Sequence, residues 1–139
     1  MNAREFLEQI EKFDVLIENK RMEKRQWQDI ATSITASMQG EKVKSSPNQD
    51  KMGTAVASYL DIQGEIDMYI IQCASERQKI IGVLERLPIT EYNVLYKKYV
   101  LMQDYQTIAD SMGKSYSWAT SWHGTALAHL QKILDEEKR

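Results

Sequence analysis

The sequence has little of what breaks helices or cross-links chains. Among its 139 residues are one cysteine, two prolines and six glycines. A lone Cys73 excludes an intrachain disulfide, and the low Pro and Gly counts leave long stretches without a helix breaker. Alternating runs of Val, Ile and Thr are also scarce, which argues against strands. We therefore expect an all-α protein in which Cys73 is a small core residue.

Positive charge and long apolar runs are missing as well. The formal net charge is −2 and the pI is about 5.7, so the chain lacks the overall cationic field that attracts nucleic acids or anionic membranes. No apolar run approaches the ~18 residues of a membrane span, and no signal peptide opens the chain. We expect a cytoplasmic protein without a membrane partner, whose binding to DNA would depend on local charge.

The first third of the chain has the pattern of one long helix. Asn2 and Glu5 have the spacing of a capping box. Apolar residues then recur in steps of four and three, as in a heptad seam: Phe6, Ile10, Phe13, Ile17, Trp27, Ala31, Ile34 and Met38. The pattern predicts a helix over about residues 3–38, followed by Gly40 as its C-terminal stop. A helix of about 50 Å cannot bury such a seam alone and needs a partner.

The seam is interrupted by a basic cluster in "NKRMEKRQW", made of Lys20, Arg21, Lys24 and Arg25. A solvated face whose long side-chain stems cover apolar neighbours is one interpretation. A secondary phosphate-contacting patch and a patch for a partner protein are the two others.

A second helical pattern follows a polar segment. The segment from about residue 39 to residue 50 is polar and contains Pro47, so we predict a loop there. Apolar residues then recur at helical spacing up to Pro88, which cannot continue the pattern: Met52, Ala55, Tyr59, Ile62, Ile66, Tyr69, Cys73, Ile80, Val83 and Leu87. We expect the two long helices to fold back as a coiled-coil-like antiparallel hairpin over residues 1–87, or each helix to pair with another subunit.

Residues 88–139 have the pattern of three shorter helices. Thr90 is predicted to cap a helix over about 91–101, and a short helix follows in "DYQTIADSMG". Gly113 permits a left-handed turn, and Ser115 can cap a last helix to about Asp135. The inward residues of that helix are predicted at spacings near 3.6 residues: Ala119, Trp122, Ala126, Leu127, Leu130 and Ile133. A small Ala109, a Gly four positions later and a cap two beyond it predict a helix-turn-helix unit.

The aromatic residues of the last helix allow more than one role. We expect Trp122 in the core, and Trp118 either at the core edge or at a DNA or protein contact, stacked on Trp122 one turn away. His123 is expected at the surface or facing phosphate, and His129 in solvent. One Cys and two His make no metal constellation, so we expect neither a metal nor another cofactor.

The segment "LPITEYNVLYKKYVLMQDYQTIADSMGKSYSWATSWHGTALAHLQKIL" resembles the region-four helix-turn-helix of bacterial sigma factors. The similarity rests on the Leu-Pro start, Glu91, Val94-Leu95, Tyr99, Ile108-Ala109, Met112-Gly113, Ser115 and the Ala126-Leu127 and Leu130 ending. "HGTAL" at 123–127, the preceding hairpin and the "SSP" of the loop are similar to phage and prophage late-transcription regulators of the ArpU/RinA kind. The likeness covers about 48 residues well and the hairpin in outline.

This resemblance implies a transcription regulator of a bacterial host cell, with DNA and RNA polymerase or another regulator as partners. By position it implies that the residues facing bases are Tyr116, Ser117, Thr120 and Ser121. It implies that the residues approaching phosphates are Gln106, Thr107 and Lys114. The implied DNA-binding set is Gln106, Thr107, Lys114, Ser115, Tyr116, Ser117, Trp118, Thr120, Ser121 and Thr125. Relatives usually carry a basic residue at the place of Thr125 and at several others, whereas these places are neutral here.

The balanced charge of residues 88–139 is compatible with two functions. Residues 88–139 hold six basic and six acidic side chains, and phosphate neutralisation supplies most non-specific DNA affinity. A phage-type regulator would therefore bind DNA weakly alone and gain affinity as a homodimer or higher oligomer. The other hypothesis is an oligomeric assembly protein, for example small-terminase-like, whose helix-turn-helix docks protein or aids DNA packaging. No phosphate loop, nucleophile elbow or paired-carboxylate motif suggests an enzyme.

Overall fold

The protein is all-α. The structure, a computed structural model, describes residues 1–40 and 46–139, and the side chains of residues 1–34 and 53–139. Its elements in chain order are α1 (Ala3–Gly40), α2 (Ser46–Leu84), α3 (Ile89–Leu95), a π-helical segment (Tyr96–Val100), α4 (Tyr105–Ser111) and α5 (Tyr116–Glu137). These described residues contain no strand. None of the described helices is both long and apolar enough to cross a bilayer.

The predicted beginning of α1 is confirmed, but the end of α1 and the start of α2 differ from expectation. Asn2 Oδ1 accepts from Glu5 N at 2.8 Å, and Glu5 Oε2 accepts from Asn2 N at 3.3 Å. Gly40 is the last residue of α1 rather than the residue after it, and residues 46–50 are helical rather than part of a loop. Pro47 is compatible with this because proline fits the first helical turn, where its missing N–H is not needed. Residues 41–45 of the predicted loop lie outside the described ones.

The contacts of the chain group it into two compact units. Unit 1 consists of residues 1–14 and 75–139, and unit 2 of residues 15–74. The beginning of α1 and the end of α2 thus share a core with the shorter helices. The sequence-based division between residues 87 and 88 did not anticipate this grouping; as a statement about independently folding domains it stays a prediction.

Unit 2 is an antiparallel pair of helix segments. The Lys24 Nζ donates to Asp67 Oδ1 at 2.9 Å, and Lys20 Nζ lies 5.3 Å from the ring centre of Tyr69. Higher numbers in α1 therefore meet lower numbers in α2, as the predicted hairpin requires. Cys73 is buried, which confirms its expected role in the core. The residues of both predicted seams whose side chains are described in this unit are buried or half-buried, including Lys20 and Lys24. The predicted seam residues Met38 and Met52 lie outside the described side chains.

Unit 1 is built around one main apolar core. Its fully buried side chains come from α1, α2, α3 and α5, and include Leu7, Ile10, Leu84, Leu95 and Leu130. A smaller cluster of Ile108, Ala109 and Ala119 joins α4 to α5. Burial of such side chains contributes about 1.5–3 kcal/mol each relative to exposure, so these two clusters fix the positions of the last two helices.

The helix expected over 91–101 is shorter and changes its winding. Pro88, not Thr90, is the residue before α3, and Tyr92 N donates to Pro88 O at 2.9 Å. After Leu95 the backbone widens into the π-helical segment, where Leu101 N donates to Tyr96 O, five residues back, at 3.0 Å. One extra residue per turn rotates the following side chains relative to an α-helix. The segment ends at Val100, and Met102, two residues later, has a positive φ of 56°.

Candidate nucleic-acid interface

The turn between α4 and α5 has the expected geometry. Asp104 caps α4 by accepting from Thr107 N at 2.8 Å, and this backbone hydrogen bond is the main reason why the pKa of its carboxyl is lowered. Gly113 has a φ of +65°, and Lys114 N donates to Ala109 O at 2.9 Å, which closes the end of α4. Ser115 Oγ then accepts from Trp118 N at 3.1 Å and begins α5. Two caps and a left-handed glycine make this a short helix-turn-helix.

One face of α5 is buried along its whole length. Its buried residues recur at steps of three and four: Ala119, His123, Ala126, Leu130 and Leu134. The expectation that His123 lies at the surface was wrong. Position 123 lies one turn after Ala119 and almost one turn before Ala126, so an α-helix that buries those two alanines must also turn His123 inward.

The buried His123 is held by two tyrosines. Its Nε2 lies 2.8 Å from Tyr99 Oη, and its Nδ1 lies 3.2 Å from Tyr105 Oη. A neutral imidazole has one donor and one acceptor nitrogen, so one tyrosine donates and the other accepts. Burial, followed by the positive charges of Arg4 and Lys98, lowers the pKa of His123 to about 4. His123 is therefore an uncharged part of the core at neutral pH and faces no phosphate.

The two tryptophans of α5 lie beside the buried face. Their ring centres are 5.9 Å apart, as the one-turn spacing predicts. The expected full core position of Trp122 was wrong: it is half-buried and belongs to neither cluster, because His123 takes the inward place. Trp118 is half-buried, packs on the smaller cluster, and has Lys114 Nζ 5.8 Å from its ring centre. It is thus at the core edge, with one side open.

The opposite face of α5 carries a row of hydroxyl groups. Ser117, Ser121 and Thr125 are all exposed and stand at positions i, i+4 and i+8, on the side of the helix away from Ala119 and Ala126. No side-chain hydrogen bond of these three hydroxyls is formed within the described part of the chain. We call Ser117, Ser121 and Thr125 the hydroxyl stripe. It extends over about 12 Å at 1.5 Å per residue, close to the width of a B-DNA major groove.

The remaining residues of the implied DNA-binding set surround the stripe unevenly. Tyr116 is exposed and lies edge-on to Tyr105, with ring centres 5.8 Å apart. Thr120 is half-buried, and its hydroxyl donates to Ser117 O at 3.0 Å. On α4 the exposed Gln106 donates to Asp110 Oδ1 at 2.8 Å, next to the exposed Thr107. Tyr116 and Thr107 are thus accessible, whereas Thr120 and Gln106 have protein partners already.

The basic cluster in α1 is largely neutralised within its own unit. Lys20 pairs with Glu23 at 3.1 Å, Lys24 with Asp67 at 2.9 Å, and Arg25 with Glu18 at 3.7 Å. Arg21 is exposed and has no ion-pair partner among the described residues. This pairing weakens the interpretation as a phosphate patch, since paired charges attract phosphate less than free ones.

A second polar pair of unit 1 was not anticipated from the sequence. Glu91 on α3 is 3 % exposed, and its Oε1 lies 2.6 Å from His129 Nδ1 on α5. Its Oε2 is buried without a hydrogen-bond partner in the described structure. His129 is exposed, as expected, but it is not merely solvated. Only the shared Glu91 of the sigma-like pattern pointed to this position, and nothing in the spacing pointed to its partner.

Other ligands find little support in the described residues. No group of three or more His, Cys, Asp or Glu side chains there could hold a metal ion. No known protein family, curated protein or solved structure matches the chain. The similarity to sigma region four and to ArpU/RinA regulators therefore remains an interpretation of the residues themselves.

Proposed function

We propose that the protein is a phage-type transcriptional regulator that binds DNA through α4 and α5. The observation that carries this proposal is the hydroxyl stripe. It lies on the second helix of a helix-turn-helix, opposite the buried face, where such units present a helix to the major groove. The three aligned hydroxyls form no side-chain hydrogen bond within the described residues, so all three are free to bind a ligand.

The chemistry of this face predicts contacts to DNA bases but little electrostatic attraction to the DNA backbone. Serine and threonine hydroxyls donate to or accept from base edges and phosphates. Lys114 is the one cation in the implied DNA-binding set, so few counterions are released on binding. With one or two phosphates neutralised, the logarithm of the affinity should fall with the logarithm of salt concentration with a slope of about −1 to −2. RNA polymerase or another regulator would then supply the missing affinity.

The test begins by selecting duplexes from a random-sequence pool with the full-length protein at about 50 mM salt. Fluorescence anisotropy then measures binding to the selected duplex. Ser121→Asp should abolish it, because a carboxylate would face the negative groove. Ser75→Asp is the matched control, since Ser75 is an exposed serine of α2 far along the chain from the stripe. Equal binding by the two variants would remove α5 from the readout, and failure to select any duplex would remove DNA as a direct ligand.

A second candidate function is an oligomeric assembly protein. Seven of the twelve exposed large hydrophobic side chains among the described residues belong to unit 2: Val15, Met22, Ile30, Val56, Leu60, Met68 and Ile71. Exposed apolar residues grouped on a surface mark contact sites more often than isolated ones do. In this reading the helix-turn-helix docks a protein or aids DNA packaging. A protein that assembles but selects no duplex would favour it over the regulator.

A further inference from the structure

The row of residues that forms the hydroxyl stripe continues for one more turn of α5. His129 follows Thr125 by four residues, as Thr125 follows Ser121, and it is exposed. At 3.6 residues and 5.4 Å per turn, His129 lies about 6 Å beyond Thr125 and about 40° further around the helix. The row therefore ends in an imidazole, at the border of the face that carries the hydroxyl stripe.

Glu91 fixes the orientation of this imidazole. Its Oε1 lies 2.6 Å from His129 Nδ1, and the side chain of Glu91 is 4 % exposed whereas that of His129 is 45 % exposed. A carboxylate only accepts hydrogen bonds, so Nδ1 is the donor. On the other edge of the ring, Nε2 forms no hydrogen bond within the described residues. In metal sites and catalytic triads, a carboxylate that holds one ring nitrogen orients a histidine that acts through the other.

The charges around His129 favour an anionic ligand. Lys132, three residues further along α5, is exposed and forms no ion pair within the described part of the chain. From position 116 to position 134 the helix has no acidic residue. On α3 the one acidic side chain is Glu91, which is buried. A protonated imidazole has a donor on each nitrogen, so it can serve Glu91 and an external anion together.

We propose that His129 contacts a phosphate of the DNA backbone and that Glu91 is its positioning residue. This inference rests on the proposed function, because it adds one contact to the same face of α5. The protonated imidazole donates from Nδ1 to Glu91 and from Nε2 to a phosphate oxygen. Since the hydroxyl stripe covers about the width of the major groove, a group one turn beyond it meets the phosphates at the groove edge rather than the bases.

Neutralising single phosphates of the selected duplex tests this contact. Fluorescence anisotropy is measured at about pH 6, where an ordinary imidazole is mostly protonated, on duplexes that each carry one uncharged methylphosphonate. The wild type should lose about tenfold in affinity when the phosphate that His129 contacts is replaced. His129→Gln should bind the unmodified duplex about tenfold more weakly and lose nothing further at that phosphate. Its salt slope should be less negative by about 1.

Three further variants separate a phosphate contact from a structural role. His129→Arg should restore the sensitivity to that phosphate, because a guanidinium can donate to Glu91 and to a phosphate at once. Glu91→Leu should reduce it although His129 is still present, because the ring is then free to rotate. Lys138→Gln removes a positive charge from an exposed position near the end of α5 and should leave it unchanged. Circular dichroism verifies that all variants stay helical.

Failure of this inference is distinguishable from failure of the proposed function. If binding depends on Ser121 but His129→Gln keeps the wild-type sensitivity to every phosphate, the inference alone is overturned. Wild-type sensitivity in Glu91→Leu overturns the positioning role of Glu91. If no duplex is selected, or if Ser121→Asp binds as the wild type does, the proposed function and this inference are overturned together.

Discussion

Tyr99 Oη lies 2.8 Å from Nε2 of His123, and the two residues join the π-helical segment to α5. Burial is the main cause of the raised pKa of Tyr99 and of the lowered pKa of His123. Both groups are therefore uncharged near neutral pH. The pair is a neutral hydrogen bond at the base of the helix-turn-helix rather than part of its outer surface.

Acid should weaken the fold through His123. Its pKa is about 4 in the folded chain and about 6.5 when unfolded, so the unfolded state binds the proton first. The contribution of His123 to the free energy of unfolding is therefore largest above pH ~6.5. It decreases as the pH falls towards 4 and changes no further below that pH. We expect a loss of roughly 2 kcal/mol over this interval after allowance for solvent screening.

Urea unfolding at several pH values measures this dependence, with His123→Gln as the control. The difference between the two proteins should decrease from pH 6.5 to pH 4.5, since carboxylates that begin to titrate in this interval are common to both proteins. Parallel curves for the two proteins would show that His123 is not held in its neutral form.

The hydrogen bond between Glu91 and His129 predicts that substitutions of the two residues have non-additive effects on stability. His129→Ala should lower the free energy of unfolding by about 1–3 kcal/mol, because it leaves a buried carboxylate without its one partner. Adding Glu91→Leu should recover most of that loss, since the unpaired charge is gone. Lys132→Ala, an exposed change on the same helix, should stay within about 0.5 kcal/mol. Additive effects of the two substitutions, measured by chemical denaturation, would contradict the pairing.

Two glycines of the helix-turn-helix should respond in opposite directions to alanine. Gly113 has a φ of +65°, so Gly113→Ala should destabilise the protein by about 1 kcal/mol or more. Gly124 lies within α5, and a Cβ there meets nothing within 4 Å. Gly124→Ala should therefore stabilise by up to about 1 kcal/mol. The melting temperatures of both variants, measured by thermal unfolding, test this. A destabilising Gly124→Ala would argue against a continuous α5.

Met102 should tolerate loss of its side chain. Its φ of 56° lies in the region that favours glycine, and its side chain is exposed. Met102→Gly is expected to stabilise the fold or leave it unchanged, within about 1 kcal/mol, because relief of strain offsets the greater freedom of the unfolded chain. Leu101→Gly, at a negative φ of −87°, is the matched control and should destabilise. The order of the two melting temperatures tests this.

Local patterns predicted most of the fold. The capping box at Asn2, the seams of α1 and α2, the left-handed Gly113 and the cap at Ser115 all depend on residues within a few positions of one another. The sequence did not reveal the π-helical segment or the polar partners of Glu91 and His123, because these depend on how α3 and α5 approach in space. Trp122 was misplaced for the same reason. A hydrophobicity pattern ranks Trp above His for burial, and it contains no information on the two tyrosines that bind His123 in the interior.

The same limit applies to the candidate site. Its position on α5 followed from the turn and the helical period, and the structure places Ser117, Ser121 and Thr125 together on one exposed face. The ion pairs of Lys24 and Arg25 could not be foreseen, since their partners come from the other helix or from another turn. Chemistry that depends on free charge is therefore the least predictable part of such a site.

The two-part composition of unit 1 has a consequence for synthesis of the chain. Ala3 N donates to Gln131 Oε1 across 128 positions at 2.8 Å. At ~5–20 residues per second, a ribosome needs about 6–26 s to produce the second partner after the first. During that time Leu7 and Ile10, fully covered in the finished protein, can pack at most on the end of α2 and on α3, which belong to the same core. Their burial is completed only when α5, the last helix to be made, closes that core.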